Sequence, residues 1–265
     1  MALRFDAAAA SDIGPHRSTN QDAAYASAWA ALVADGVGGG PSGDLASAAL
    51  VHRVVAGGPS AAAEPERLAD HLRVANWDLR AHVEREPELA GMATTFTGVF
   101  AAADGSVLLA HSGDSRAYLL RDGELSQQTR DDSYVQALVD HGVISASDAA
   151  THPRRNLITA SFAGAEGDAA AIGELDPREG DRWLLCSDGL SDYVPMDDVV
   201  RVLRTNASPR AAADALVALA LEAGTMDNVT AVVCDIHLDE PSPAREGSFV
   251  GAAAERFQEG LDAAG

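Results

Sequence analysis

Apolar residues fall along this chain in two rhythms. Short continuous runs closed by Gly, Ser, Asn or Asp read as buried strands, and stretches with an apolar residue every three or four positions read as helices. Strand-like runs open the chain through Tyr25–Ala28 and Ala30–Ala34. A helix is expected over Gly43–Val55, and a second over Pro65–Arg85, where Leu68, Leu72, Ala75, Leu79 and Val83 share one face. Three strands follow at Thr94–Ala102, Ser106–His111 and Arg116–Arg121; the turn Asp104-Gly105 joins the first two and Asp122-Gly123 ends the third. The stretch 131–167 is irregular and polar, with short helices expected near Tyr134–Asp140 and Ser147–Thr151. Strands resume at Ala169–Leu175 and Arg182–Cys186, two helices follow at Met196–Thr205 and Pro209–Ala223, and a last strand runs Val229–Ile236.

Helices thus come in consecutive pairs between groups of strands, which disfavours a doubly wound parallel sheet. The expected class is α+β: a central antiparallel β-sandwich with a helix pair on each outer face, four layers in the order αββα. From Asp239 the composition changes to DEPSPAREG, read as a linker, and then to a weak amphipathic helix carrying Val250, Phe257 and Leu261. The expected domain is therefore 1–238, with 239–265 as a tail outside the core.

Four aspartates sit in equivalent places on this pattern, each at an end of an apolar run beside Gly, Ser or Asn: Asp35 (ALVADGVGGG), Asp114 (VLLAHSGDSR), Asp188 (WLLCSDGLSD) and Asp227 (TMDNVTAVVCDI). Strand ends project side chains from a rigid sheet. Four carboxylates sharing such an edge would be forced to take up protons by mutual repulsion and desolvation, unless divalent cations neutralised them. The chain is therefore a candidate metalloenzyme with an all-oxygen site, a donor set that favours Mn²⁺ or Mg²⁺ over Zn²⁺.

Composition narrows the rest. The 265 residues are 47% hydrophobic, enough for a full core, and no run approaches the length of a membrane span. The first residues, MALRFDAAAASDIG, lack the features of a signal peptide, so a cytoplasmic protein is expected. A net charge of −21 argues against nucleic-acid partners. All 19 basic residues are arginine, which excludes Schiff-base, P-loop and kinase lysine chemistry. Cys186 and Cys234 lie inside apolar runs and read as reduced core residues, and the eight histidines show no metal-binding spacing. His52, His71 and His82 read as helix-surface residues and His111 as a packed strand residue, while His16 and His152 are minor candidates for proton transfer.

Other motifs have competing readings. Arg17, in RSTNQD, offers a planar fork for phosphate oxygens, and Asp22 five residues on could act through water in a metal's outer shell. Gly38, Gly40 and Gly43 satisfy a dinucleotide fingerprint, but a second helix follows where that motif needs a parallel strand, and Pro41 stands where the pyrophosphate needs an N–H. GDSR (Gly113–Arg116) reads as a hairpin turn with an internal Asp114–Arg116 salt bridge. SDGLSD sets Asp188 and Asp192 four residues apart, and Asp227-Asn228 could be only a turn before the last strand.

RSTNQD, VADGVGGG, GMATTFTGVF, GDSRAYLLRDG, TRDDSYV, HPRRNLITASFAG, LLCSDGLSD and DNVTAVV occur in an order and spacing that resembles the metal-dependent Ser/Thr protein phosphatases of the 2C type, in particular their stand-alone bacterial members. The resemblance covers about 4–238 and implies the same four-layer fold, with a mobile flap at about Ser133–Ala169. It implies that Asp35 bridges two Mn²⁺ or Mg²⁺ ions, that Gly36 gives its carbonyl to one, and that Asp188 and Asp227 complete the ligands of the other. Asp114, with Asp188 or Asp192, would hold a third, weaker ion. Arg17 would bind the substrate phosphoryl group and Asp22 would act through water. The implied reaction is hydrolysis of phosphoserine or phosphothreonine by in-line attack of a metal-bridging water. Phosphorylated proteins, substrates of a Ser/Thr kinase, are the expected partners of a monomer. Two departures stand out: Val37 where some relatives place a histidine after Asp-Gly, and Ala160-Ser161 after Thr159 where relatives show an arginine. The acidic surface should repel phosphorylated substrates, giving modest rates that improve with salt or with basic residues beside the phosphosite. The rival from another class is a binding protein that keeps the fold without the activity; the complete ligand set argues against it.

Overall fold

The computed structural model describes residues 3–37, 42–238 and 246–256. Among these residues twelve strands run in chain order: Arg4–Asp12 (β1), Asp22–Ala26 (β2), Ala30–Val37 (β3), Ala93–Thr94 (β4), Phe96–Ala101 (β5), Val107–Ser112 (β6), Arg116–Arg121 (β7), Glu124–Gln127 (β8), Ala171–Leu175 (β9), Arg182–Cys186 (β10), Val229–His237 (β11) and Ser248–Gly251 (β12). They form two sheets among the described residues, one ordered β1-β11-β10-β7-β8 and the other β12-β2-β3-β5-β6-β9 with β4 paired to β3. Every ladder is antiparallel. A dinucleotide-binding βαβ unit is thereby ruled out here; Gly38, Gly40 and Pro41 themselves lie outside the described residues.

The helices are Gly43–Ala56 (α1), Gly58–Ala61 (α2), Pro65–Arg85 (α3), Tyr134–Asp140 (α4), Ala146–Ala149 (α5), Asp188–Ser191 (α6), Met196–Thr205 (α7), Pro209–Glu222 (α8) and Ala252–Glu255 (α9). The long ones follow from local chemistry. Pro65 and Pro209 occupy first-turn positions, where a missing N–H costs nothing. Ser208 accepts from the Ala211 N–H as an N-cap, and α3 stops at Glu86, which precedes Pro87 and is held out of helical backbone.

Three apolar layers hold the stack together. Phe5, Val33, Val99, Leu119, Trp183 and Val232 interdigitate between the sheets. The outer face of the β2-β3-β5-β6 sheet buries Leu50 of α1 with Leu68, Leu72 and Leu79 of α3. The outer face of the other sheet buries Val199, Val202 and Leu203 of α7 with Ala212 and Leu216 of α8. This is the expected αββα sandwich. Cys186 and Cys234 are buried in it, and burial pushes the Cys186 thiol up to about 12, so both are inert packing residues.

The chain departs from expectation in three places. β1 is a full nine-residue strand paired along its whole length with β11. The Asp122-Gly123 turn, with φ of 53° and 83°, folds back into an additional strand, β8. The chain beyond 238 does not all lie outside the core: β12 pairs with β2 and Ala252 and Ala253 are buried against the sandwich. Val250 belongs to this strand, whereas Phe257 and Leu261 lie outside the described residues.

Candidate metal centre

Antiparallel pairing sets the end of one strand beside the start of its neighbour, and the two sheets together present the predicted carboxylates at one end of the sandwich. Asp22 opens β2 and lies directly opposite Asp35 near the end of β3. Asp114 follows β6 in the turn to β7, Asp188 follows β10 as the first residue of α6, and Asp227 immediately precedes β11. A cavity of about 180 Å³ opens among them, walled by Asp35, Gly36, Asp114, Asp188 and Asp227, with Arg17, Val37 and the 156–158 segment at its margin. A larger cavity of about 340 Å³ continues from Asp114 and Asp188 to Asp192, roofed by α4, α5 and Arg155.

The backbone of Asp35 is fixed by a threonine pair. Its N–H donates to Thr95 Oγ1 at 2.9 Å, and its carbonyl accepts from Thr94 Oγ1 at 3.0 Å and from the Thr95 N–H at 2.8 Å. Gly36 is required by packing, because a Cβ there would sit 2.2 Å from the Gly43 carbonyl oxygen. Gly189 is equally constrained: its Cβ would lie 1.9 Å from the Asn228 carbonyl oxygen.

Charge is crowded here. Burial first, then the carboxylates of Asp22, Asp188, Asp114 and Asp227, push Asp35 well above the usual carboxylate range. Burial, then Asp114, Asp227, Asp192 and Asp22, does the same to Asp188. Burial raises Asp22 and Asp114 to about 6 each, and raises Asp192 as well. Oδ1 of Asp188 and Oδ1 of Asp22 are buried with no hydrogen-bond partner among the described residues. Unpartnered buried carboxylate oxygens are costly unless something positive meets them. Among the described residues no three side chains already converge as a closed ligand cage. The donor set is nevertheless all oxygen, carboxylates with the Gly36 backbone on the same wall, which suits Mn²⁺ or Mg²⁺.

A neutral substitute should show this repulsion directly. In metal-free protein, Asp114 binds a proton in the folded state that the unfolded chain releases between about pH 4 and 6. Its raised pKa therefore costs stability that appears as pH rises through this window and is complete above about 6. Asp114→Asn should be more stable than wild type by roughly 1–3 kcal/mol at pH 7.5 and lose the advantage near pH 4, read by denaturant titration under chelation. His111, whose folded pKa is lowered by burial, is common to both proteins and cancels.

Arg17 reaches the site from the 13–21 connection, its Nη2 donating to Asp227 Oδ2 at 2.6 Å. That connection is stitched down by Asn228, whose Oδ1 accepts from the Gln21 N–H at 2.8 Å while its Nδ2 donates to the carbonyls of Ile13 at 2.8 Å and Thr19 at 3.1 Å. Asp22 Oδ2 accepts from Ser187 Oγ at 2.6 Å.

A family model for Protein phosphatase 2C matches residues 16–222. The chain belongs to the protein phosphatase 2C family. The "Serine/threonine protein phosphatase PstP" of Mycobacterium tuberculosis is 43% identical over 244 residues, 89% of this chain and 45% of that protein, so the chain spans about half the length of that relative. The "Serine/threonine phosphatase stp" of Listeria welshimeri is 34% identical over 78% of this chain and 84% of its own. The crystal structure of Mycobacterium tuberculosis PstP/Ppp superposes with a TM-score of 0.82 at 41% identity, covering 88% of this chain and 98% of that one. A PstP catalytic domain described as "in complex with 2 Manganese ions" gives 0.78 at 40%, covering 89% and 99%.

Within this phosphatase 2C fold, one pairing differs from expectation. Arg116 does not bridge to Asp114; its Nε and Nη2 grip Asp131, the latter at 2.6 Å, leaving the Asp114 carboxylate to the cavity. Asp132 Oδ2 meanwhile accepts from the Gly113 N–H at 3.1 Å. Asp192 lies 3.8 Å from Arg155. The expected flap region carries α4 and α5, and its far end is pinned where Phe162 pairs with Thr94. His111 is buried as expected, bonded to Thr97 Oγ1 and the Arg130 carbonyl. His52 is not simply at the surface, since its Nε2 meets the Ala253 carbonyl at 2.7 Å.

The sequence does not reveal the roles of several residues that shape this phosphatase 2C site: Thr94, Thr95, Asp131, Ser187 and Asn228, the last read only as part of a turn. All stand beside or near a predicted ligand in chain or space, yet small polar residues at turns are so common that only their partners distinguish them. Asn228→Ala should strand three backbone groups and destabilise the protein by about 1–3 kcal/mol, measured by thermal unfolding, with a raised KM for any substrate that Arg17 holds.

Proposed function

We propose that this chain is a metal-dependent phosphoprotein phosphatase that hydrolyses phosphoserine and phosphothreonine. The observation that carries the reading is one cavity walled by Asp35, the Gly36 backbone, Asp188 and Asp227 with Arg17 at its margin, in a chain of the 2C family. Asp35, Gly36, Asp188 and Asp227 would hold two Mn²⁺ or Mg²⁺ ions, and Asp114 with Asp192 would hold a third. When bound, the ion pair supplies an acidified water as nucleophile and neutralises phosphoryl charge.

The protein's own groups orient this chemistry. Arg17, always charged, brings N–H donors to the phosphoryl oxygens. Asp22, fixed by Ser187 across the ladder from Asp35, acts through water in the outer shell. Val37 follows Gly36 on the wall and carries no proton to give, so it does not protonate the leaving alkoxide. Neither cysteine is available as a covalent nucleophile, both being buried. The partners are phosphorylated proteins, products of a Ser/Thr kinase; the protein acts as a cytoplasmic monomer in bacterial signal transduction, with no nucleic-acid partner. No helix among the described residues is long and apolar enough to cross a membrane.

The test is phosphate release from a phosphothreonine peptide with Mn²⁺ and with chelator. Metal-dependent release supports the reading; absence of any release with Mn²⁺ or Mg²⁺ would falsify it and favour a scaffold that retains the fold.

A further inference from the structure

The segment from Ser248 to Arg256 lies outside the part of the chain matched to the family, 16–222, yet it is seated against the back of the carboxylate site. β12 covers the outer edge of β2 in a fixed register, Ser248 opposite Ala26 and Gly251 opposite Ala23. Without it, β2, which opens with Asp22, would be an uncovered edge strand. At Gly251 the backbone turns with φ of 64° and approaches Asp22 so closely that a Cβ would sit 2.2 Å from the Asp22 carbonyl oxygen and 3.1 Å from Ser11 Oγ. Ser11 Oγ is in turn 2.7 Å from Thr230 Oγ1, and the Thr230 N–H donates to Ser187 Oγ, the hydroxyl that holds Asp22.

A second attachment reaches the other side of the site. Arg256 Nε donates to Asp44 Oδ2 at 2.7 Å, and its Nη2 joins the same oxygen. Asp44 is buried in the first turn of α1, and its other oxygen has no partner among the described residues. Its neighbour Gly43 packs its carbonyl against Gly36. Within β12 itself, Phe249 stacks on His52 at 4.2 Å and meets the Tyr25 ring at a tilt, with centroids 4.8 Å apart.

We propose that Ser248–Arg256 is a positioning strap for the metal centre, setting its affinity for the cation by holding Asp22 through β2 and Gly36 through the start of α1. The inference rests on the metal-dependent reading above. It gives this chain a C-terminal element whose seating and release tune the site without touching substrate.

The experiment is Mn²⁺ titration calorimetry on the full chain after chelation, comparing wild type with Arg256→Gln, Arg256→Lys and Phe249→Ala, each paired with a thermal midpoint. Arg256→Gln and Phe249→Ala should each weaken Mn²⁺ binding by about tenfold, as for loss of an outer-shell support, and Arg256→Lys should restore most of it. At saturating Mn²⁺ the KM for a phosphopeptide should return to the wild-type value. Removing a positive charge through its field alone would tighten cation binding, so weakening by Arg256→Gln marks positioning. Unchanged Mn²⁺ affinity in both variants, with or without a lower midpoint, overturns the strap alone. A wild-type chain that binds no Mn²⁺ overturns the metal reading and the strap with it.

Discussion

Asp188→Asn should lower Mn²⁺-dependent phosphate release by roughly 10³-fold or more, the equivalent of several kcal/mol of metal-derived transition-state stabilisation. The same substitution should make the metal-free protein harder to unfold. Asp188 stands first in α6, with Oδ1 buried and without a hydrogen-bond partner among the described residues, and with Asp114, Asp227, Asp192 and Asp22 all contributing repulsion. An amide of the same shape removes that repulsion and also removes a hard anionic ligand. Stability and activity therefore move in opposite directions, which distinguishes loss of a metal ligand from misfolding. The check is a phosphopeptide assay with Mn²⁺ beside thermal unfolding in chelator. Retained activity, or a large drop in the metal-free midpoint, would contradict the role given to Asp188.

Arg17→Ala should reduce kcat/KM for a phosphopeptide by about 10–100-fold, the range for losing charge-assisted hydrogen bonds worth about 1.5–3 kcal/mol. Arg17 is 44% exposed at its side chain and donates to Asp227, so it can turn toward a phosphoryl group when cations take over the neutralisation of that carboxylate. Its removal should leave the fold intact, since its described ion pair is partly exposed and such pairs add little stability. Arg17→Lys should recover only part of the loss, because a point charge cannot reproduce the planar fork. Weaker inhibition of Arg17→Ala by inorganic phosphate would locate the defect in phosphoryl binding. Equal inhibition of both proteins would assign Arg17 a different task.

The carboxylates were legible because two independent signals coincide at each. An apolar run declares a buried strand, and an Asp beside Gly, Ser or Asn declares its end. Such an Asp projects from the end of a strand, and the antiparallel order of the two sheets brings these ends together. Strand β1 carried no such signal. Its sequence, RFDAAAASD, is rich in alanine and lacks β-branched residues, so local propensity favours helix. Pairing over nine residues with β11 and the burial of Phe5 and Ala9 override that preference. Strand β12 failed for a related reason: four residues beyond a Pro-rich stretch are too few to show a period.

By itself, then, the sequence determined the fold class, the paired helices and the identity of the carboxylates, since these depend on hydrophobic period, turn chemistry and residue type, all of which are local. The tertiary structure alone decided which groups meet. Arg116 turned to Asp131 and left Asp114 open, Asn228 became the stitch of the Arg17 connection, and the last described residues closed the edge beside Asp22. Those outcomes depend on contacts between residues from 15 to more than 207 positions apart in the chain, and no local pattern encodes a partner at such distances.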